Sequence, residues 1–248
     1  MTLPIFRSNY SLTSILTLDQ YKKTEDRKLN RADSVFNICS DLGLKDVFIA
    51  DNNLSGLVEA YENATDAKLN LRFGYRVTVC ENIEDKTEDS KKTESKLIIF
   101  AKKDSFIDLI KLHNLSTSEG FYDGRARLDY KTIRKNWTKN LMMVIPFYDS
   151  YIFNNLLYGK ECIPDIDFAN PYICIENNSL PFDGLVKDQI LSSVKYNQID
   201  TKTIYYKDKK DFNAYMTYRC ILNRTTFQKP ELAHFGSNEF CMEAIYAG

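Results

Sequence analysis

Two carboxylates are the strongest candidates for chemistry, because each directly follows a short apolar run. Asp51 follows residues 46–50 and Glu176 follows residues 172–175. If both runs are strands of an α/β barrel, the two side chains lie at the C-terminal face, where such folds place their chemistry. Hydrolysis by these carboxylates would need at least a two-metal clamp, and the sequence offers few further ligands.

The histidines and cysteines do not supply those ligands. The two histidines, His113 and His234, lie far apart, which excludes a histidine-rich metal enzyme. His113 shares the apolar face of a predicted helix and is expected in the core, whereas His234 lies in a late loop and carries little sign of a site role. The cysteines form no CxxC pair, and we expect them to be reduced, structural thiols; they are Cys39, Cys80, Cys162, Cys174, Cys220 and Cys241.

Several common catalytic motifs are absent from the sequence. The nine glycines form no GxGxxG or GxxxxGK[ST] phosphate loop and no GxSxG nucleophile elbow. Nucleotide-dependent and esterase-type chemistry built on these motifs is therefore excluded.

The charge balance excludes a further class of function, the capture of nucleic acid by a broadly basic surface. The 248 residues contain 33 basic and 34 acidic side chains, for a net charge of -1. A domain that captures nucleic acid by broad electrostatics needs a basic surplus, although a local basic face remains compatible with this balance. No window of 18 uncharged apolar residues and no secretion signal is present, so we expect a cytoplasmic protein without a membrane partner.

The apolar patterns predict alternating strands and helices. About seven strands are expected, at 3–6, 46–50, 75–80, 97–101, 141–145, 172–175 and 203–206, with helices around 32–42, 54–61, 106–113, 185–194 and 212–222. Strands separated by helices favour parallel pairing and an α/β barrel or open sheet in one domain spanning 1–248. The polar stretch 81–96 is predicted to be a solvated loop, with partner binding as the alternative.

Six motifs in order along nearly the whole chain resemble the polymerase-and-histidinol-phosphatase (PHP) domain of bacterial-type replicative DNA polymerase III alpha subunits. Residues 8–11 read SNYS where the family has S-D-Y-S after a histidine, and residues 47–61 read VFIADNNLSGLVEAY where the family has L-A-L-T-D-H-G-N-M-F-G-A-V-E-F-Y. The other matches are GYRVTV at 74–79, LIIFAK with DLIKL at 97–102 and 108–112, EGFY with RLD at 119–122 and 127–129, and FGSNEF at 235–240.

This resemblance implies a distorted (β/α)7 TIM-like barrel, the PHP fold. Active members of the family bind three metal ions at the C-terminal face and cleave phosphoesters as 3′–5′ proofreading exonucleases. The matching pocket positions of this chain form a degenerate set, in which only Asp51 keeps the family's residue type and Glu176 is a further carboxylate of the same face; the set is Ile5, Arg7, Asn9, Asp51, Asn52, Arg76, Lys96 and Glu176. The late region 203–207 offers no histidine.

These replacements are unfavourable for a metal ion. Isoleucine has no lone pair to donate, and arginine has no acceptor and is not deprotonated in proteins. One guanidinium about 4 Å from a divalent ion costs roughly 8 kcal/mol at an effective dielectric of about 20. We therefore expect no bound cofactor or metal, with a divalent ion such as Mn or Zn as the alternative. Arg7 and Arg76 are predicted to fill the former metal volume and to pair with Asp51; simple sequence drift is the competing explanation.

The resemblance implies a non-catalytic PHP domain that braces the palm and thumb of a DNA-directed DNA polymerase, with the palm expected to begin near the end of this chain. It is compatible with a phage replication system. One alternative is a metal-dependent phosphoesterase or 3′–5′ exonuclease; another is a stand-alone protein that binds a replication partner. Basic and aromatic residues alternate in one stretch, which we interpret as a solvated helix face, with contact to primer–template DNA as the alternative; they are Arg125, Arg127, Tyr130, Lys131, Arg134, Lys135, Trp137 and Lys139.

Overall fold

The strands of the chain close into a barrel. The structure is a computed structural model that describes residues 2–20, 31–102, 105–227 and 236–246. Its strands are β1 (Leu3–Phe6), β2 (Asp46–Asp51), β3 (Asn70–Cys80), β4 (Ser95–Ala101), β5 (Arg127–Asp129), β6 (Leu141–Ile145), β7 (Tyr172–Ile175) and β8 (Asn197–Ile204). The ring runs β1-β2-β3-β4-β6-β7-β8 and returns to β1, while β5 pairs with the far end of β3 outside the ring. This closed ring of seven strands confirms the predicted barrel.

One strand of the ring runs against the predicted direction. β4 is antiparallel to both of its neighbours, β3 and β6, whereas the other pairs are parallel. A parallel pair needs a crossover, usually a helix, but the segment between β3 and β4 holds only a 3-10 helix at Asp89–Thr93. The chain therefore folds back beside β3, and the expectation of parallel pairing throughout was wrong for this strand.

The polar stretch 81–96 is only partly a solvated loop. Its middle is exposed, at residues 84 and 86–89, but Ser90, Glu94 and Ser95 are buried, and Lys96 lies within β4. The buried Arg127 explains this fold-back, because its guanidinium donates to the Ser90 hydroxyl (3.1 Å) and to the Asp85 carbonyl (3.1 Å).

Helices surround the barrel. They are α1 (Val35–Asp41), α2 (Leu57–Asp66), α3 (Phe106–Ser118), α4 (Tyr130–Lys135), α5 (Tyr151–Tyr158), α6 (Asp183–Ser193), α7 (Phe212–Asn223) and α8 (Glu243–Tyr246). The five predicted helices are all present, while β5, α4, α5 and α8 were not predicted. Side chains of Asp129 and Ser150 cap α4 and α5 by accepting backbone N–H groups. In the part of the chain that is described, no helix is long and apolar enough to cross a membrane.

The apolar residues bury into two adjoining clusters. The larger one fills the barrel and the space beneath α3, α5 and α6, and the smaller one lies between β2 and the helices α1 and α2. All six cysteines are buried as free thiols, which confirms the expectation of reduced, structural cysteines. The first of the two histidines, His113, is half-buried on α3 and packs edge-on against Tyr75 with ring centroids 5.1 Å apart. His234 lies outside the described residues.

The close approach of the Gly120 and Arg127 backbones can be tested by adding a methyl group at Gly120. A Cβ atom at Gly120 would lie 1.8 Å from the carbonyl oxygen of Arg127, whereas a Cβ at Gly184 on α6 would meet nothing within 4 Å. We expect Gly120→Ala to lower the free energy of unfolding by about 2–3 kcal/mol, because backbone must move. Gly184→Ala is the matched control and should be neutral or stabilising by up to about 1 kcal/mol. Urea denaturation of both variants measures the difference; equal stabilities would contradict the packing at Gly120.

Candidate functional site

Charged side chains from five strands, or from the residues directly after them, meet at the mouth of the barrel. Arg7 directly follows β1, Asp51 ends β2, Arg76 lies in β3, Lys96 lies near the start of the reversed β4, and Glu176 follows β7. The charges are close enough to act on one another: Arg76 and Asp51 both affect the pKa of Arg7, and Arg7 and Arg76 both affect the pKa of Lys96. The predicted pocket positions are thus brought to one face.

Arg7 is buried at the centre of this face, with only 2% of the residue exposed. Its guanidinium donates to the Ala50 carbonyl, to Asn52 Oδ1 (2.8 Å) and to the Thr13 hydroxyl (3.1 and 3.3 Å). Burial and the positive charge of Arg76 lower the pKa of Arg7. The side chain therefore joins the loop after β1 to the end of β2 through neutral oxygen atoms.

Asp51 is bound by its neighbour Ser8 and not by an arginine. Its carboxylate accepts the Ser8 backbone N–H (2.9 Å) and the Ser8 hydroxyl. Burial raises the pKa of Asp51, while the nearby Arg7 charge and the bonds from Ser8 lower it. The predicted pairing of Asp51 with Arg7 is thus a through-space attraction without a hydrogen bond, because the guanidinium donates to Ala50, Asn52 and Thr13 instead.

Arg76 pairs with a residue that the sequence did not suggest. Its Nη2 atom lies 2.6 Å from Asp149 Oδ2, so the predicted pairing of Arg76 with Asp51 was wrong. The register of the sheet brings these two residues together. Arg76 lies opposite Ile98 of β4, and β4 pairs in turn with β6, which is followed by the loop that carries Asp149. Asp149 has a left-handed φ of 61°. The available signal was an acidic residue shortly after the strand 141–145.

Lys96 is the third cation of the mouth. Its ammonium donates to the Thr78 hydroxyl at 2.5 Å. Burial and the charges of Arg76 and Arg7 lower its pKa, Asp149 and Glu94 raise it, and the balance puts the pKa of Lys96 at about 7. Close to neutral pH this amine therefore exchanges between its charged and neutral forms.

Glu176 is held by a different set of groups. Its carboxylate accepts the Thr203 backbone N–H (3.0 Å), the Thr203 hydroxyl (2.7 Å) and the Asn178 side-chain amide (3.0 Å). The same amide donates to the Tyr148 hydroxyl (3.0 Å), which donates in turn to Asp183 (3.0 Å). Burial raises the pKa of Glu176. The sequence analysis missed Tyr148, Asn178 and Asp183, since none of them follows a strand directly.

The remaining pocket positions carry no charge. Ile5 is buried in the middle of β1 between its partners Phe48 and Thr203. Asn9 begins the 3-10 helix Asn9–Ser11, and its buried Oδ1 atom has no hydrogen-bond partner among the described residues. Asn52 accepts from Arg7, as described above. In the region 203–207, Thr203 binds Glu176, and Tyr206 stacks near Tyr215.

These residues do not fit a transition-metal cluster. Within the residues that the structure describes, His, Cys, Asp and Glu side chains form no group of three that could hold a metal ion. The residues that face the mouth are instead two arginines and a lysine, none of which offers a lone pair while charged, and the carboxylates of Asp51 and Glu176 already accept donors on both oxygens.

The basic, aromatic stretch 125–139 is divided between core and surface. Arg127 and Tyr130 are buried, and Tyr130 contacts Cys162 through its hydroxyl. Trp137 packs edge-on against Phe168, with centroids 5.8 Å apart, and the Arg134 guanidinium covers the same ring. The exposed cations that remain for contact with DNA are Lys131, Arg134, Lys135 and Lys139. Binding of primer–template DNA by them stays a prediction.

Comparison with known proteins gives a family match and a similarity to solved structures. A family profile described as PHP domain matches residues 29–167, which is more than half of the chain. Among solved structures, the chain is similar to a protein from Bifidobacterium adolescentis that is assigned as a metal-dependent phosphoesterase, with 17% identity and a TM-score of 0.26 over 47% of this chain. The chain spans about a third (34%) of the length of that protein. No curated protein matches the chain.

Removal of the central cation tests the structure of the mouth. Arg7→Met leaves the Ala50 carbonyl and the Asn52 and Thr13 oxygens without their donor and takes a compensating charge from Asp51. We expect a loss of about 2–4 kcal/mol in the free energy of unfolding. The control is Arg134→Met, which removes a pair whose side chains are 52% and 61% exposed, and it should cost less than about 1 kcal/mol. A loss in Arg7→Met no greater than in the control would contradict the bonding described for Arg7.

The lowered pKa of Lys96 predicts a pH-dependent stability. The amine is charged in the unfolded chain up to its ordinary pKa near 10.5 but loses its proton near pH 7 in the folded chain. The unfolded state therefore binds more protons between these values, and stability rises with pH. Between pH 7 and 9 the free energy of unfolding should rise by up to about 1.4 kcal/mol per pH unit more in the wild type than in Lys96→Met. Parallel curves from urea denaturation would refute the shift.

Proposed function

The chain belongs to the PHP domain family, and from that membership we propose that it is a non-catalytic member that braces a DNA polymerase III alpha-like replicative polymerase. The observation that carries the loss of catalysis is the buried guanidinium of Arg7. It lies where the sequence match places a metal ligand and is bonded to Ala50, Asn52 and Thr13. A fixed positive charge at this point repels a divalent ion at any accessible pH.

The bonding of the two buried carboxylates supports a structural role for the face. Asp51 ties the loop after β1 to β2, and Glu176 ties the end of β7 to β8. Arg76 adds a link from β3 to the loop after β6 through Asp149. Each contact joins two different strands of the ring, so together they stabilise the barrel mouth rather than expose a reactive group.

The polymerase assignment is supported by the order and spacing of the motifs. Residues 47–61 and 235–240, together with the three motifs between them and the opening residues 8–11, follow the sequence pattern of the polymerase-attached members across nearly the whole chain. A metal-dependent phosphoesterase or 3′–5′ exonuclease is the alternative within the same family. It would require Asp51 and Glu176 to leave their present donors and to recruit ligands in place of Arg7 and Arg76.

Metal content and nuclease activity distinguish these two functions. We expect the purified full-length chain, equilibrated with Mn²⁺ or Zn²⁺ and desalted, to retain far less than one ion per molecule by elemental analysis. Cleavage of single-stranded DNA from its 3′ end should stay at the level of a buffer blank, because no ligand set holds the metal. Asp51→Ala is the matched variant and should leave both measurements unchanged. Stoichiometric metal with cleavage that is lost in Asp51→Ala would replace the bracing function by the phosphoesterase.

Affinity capture from the native cell tests the polymerase partner. The tagged full-length chain should recover a DNA-directed DNA polymerase, and polymerase activity should accompany it through gel filtration. Recovery of an unrelated replication component without a polymerase would favour the stand-alone interaction protein and refute bracing.

A further inference from the structure

A cleft of about 360 Å³ lies beside the barrel mouth, next to the start of β4 and the end of α5. Three cations line it, Lys96, Arg125 and Lys160, together with the carboxylates of Glu94 and Asp149. Its volume lies within the range of small-ligand sites in proteins. The cleft is separate from the buried groups of Arg7 and Asp51, which do not line it.

Both carboxylates of the cleft are already paired with arginines. Asp149 binds Arg76 at 2.6 Å. The buried Glu94 binds Arg125 at 2.8 Å, and the fully buried Arg127 lies 3.6 Å from its second oxygen. The negative charges that could have neutralised the lysines are therefore used by arginine side chains.

The two lysines are left with neutral partners. Lys96 donates to the Thr78 hydroxyl, and Lys160 donates to the backbone carbonyl of Glu94 at 3.1 Å. Among the residues that the structure describes, neither ammonium forms a salt bridge with a carboxylate. Lys96 is also held near Arg76 and Arg7, two further positive charges. Two ammonium groups that line one cleft in this way favour an anion between them.

An aromatic ring completes the lining. Tyr158, at the end of α5, is 56% exposed and lines the same cleft two residues before Lys160. Cations that contact phosphate beside an aromatic face on which a base stacks are a common arrangement for nucleotide binding. The ring gives the cleft an apolar side as well as a cationic one.

We propose that this cleft binds a phosphate group, carried either by a nucleotide or by free phosphate, with Lys96 and Lys160 as its charged partners. The site is independent of the bracing function, since it needs neither a polymerase nor a catalytic metal. It lies on the same face as the family's metal positions but takes an anion by side-chain cations instead of metal ions.

Calorimetric titration of the full-length chain with inorganic phosphate tests the site. At pH 6.5, where Lys96 carries its charge, and about 50 mM salt, where surface electrostatics are weakly screened, we expect saturable binding of one phosphate. Lys160→Met should weaken it about tenfold. Lys187→Met removes the same charge from the exposed face of α6, outside the cleft, and should change the affinity less than twofold.

Two outcomes would overturn the proposal. The first is the absence of saturable binding in the wild type. The second is an equal loss of affinity in Lys160→Met and Lys187→Met, which would mean that phosphate responds to net charge and not to the cleft. Circular dichroism of each variant checks that the fold is retained, and Lys160→Arg, which keeps the charge, should keep most of the affinity.

A second titration distinguishes the source of the phosphate. A deoxynucleoside 5′-monophosphate that binds more tightly than phosphate, with the gain lost in Tyr158→Leu, identifies a nucleotide as the ligand. Equal affinities for the two probes, both reduced in Lys160→Met, identify free phosphate. Either result supports the anion site itself.

Discussion

The structure of the barrel mouth depends on one buried positive charge. A guanidinium removed from water must find hydrogen-bond acceptors for its donors, and Arg7 finds them in the Ala50 carbonyl, the Asn52 amide and the Thr13 hydroxyl. Those acceptors lie on the loop after β1 and at the end of β2, so the side chain fixes both segments. The nearby Asp51 offsets the charge without a hydrogen bond to Arg7, and its two oxygens accept from Ser8.

Several cations in one mouth cannot share one counter-charge, and the fold separates them. Arg7 remains on the side of β2, while Arg76 reaches across to Asp149 on the loop after β6. Lys96 lies near both arginines, and its pKa is lowered first by burial and then by the positive charges of Arg76 and Arg7. The reversed direction of β4 is what brings Lys96 there, since its first residues and not its last lie at the mouth.

The elements that could be predicted from the sequence are those set by local patterns, and the elements set by contacts between distant residues could not be predicted. β6 and β7 match the predicted bounds residue for residue, because each is a buried apolar run with a clear end, at Pro146 and Glu176. Long-range contacts such as those of Arg127 determine the direction of β4, the three-residue β5 and the short α4. A local sequence pattern carries no information about such contacts. At the site, the sequence placed Arg7, Arg76 and Asp51 on one face, but it could not assign partners. The partners Ser8 and Asp149 depend on the register of the strands and, for Asp149, on a left-handed backbone conformation.

The two buried carboxylates of the barrel mouth have a structural explanation. A buried acid with no donors would be protonated or replaced, since burial alone raises the pKa of both Asp51 and Glu176. Each is instead bound by a backbone N–H and a hydroxyl of one residue, Ser8 for Asp51 and Thr203 for Glu176. These bonds join neighbouring strands of the ring, and losing either acid would leave buried donors unpaired. The presence of both acids beside Arg7 and Arg76 is therefore explained by the stability of the barrel and requires no reaction at this face.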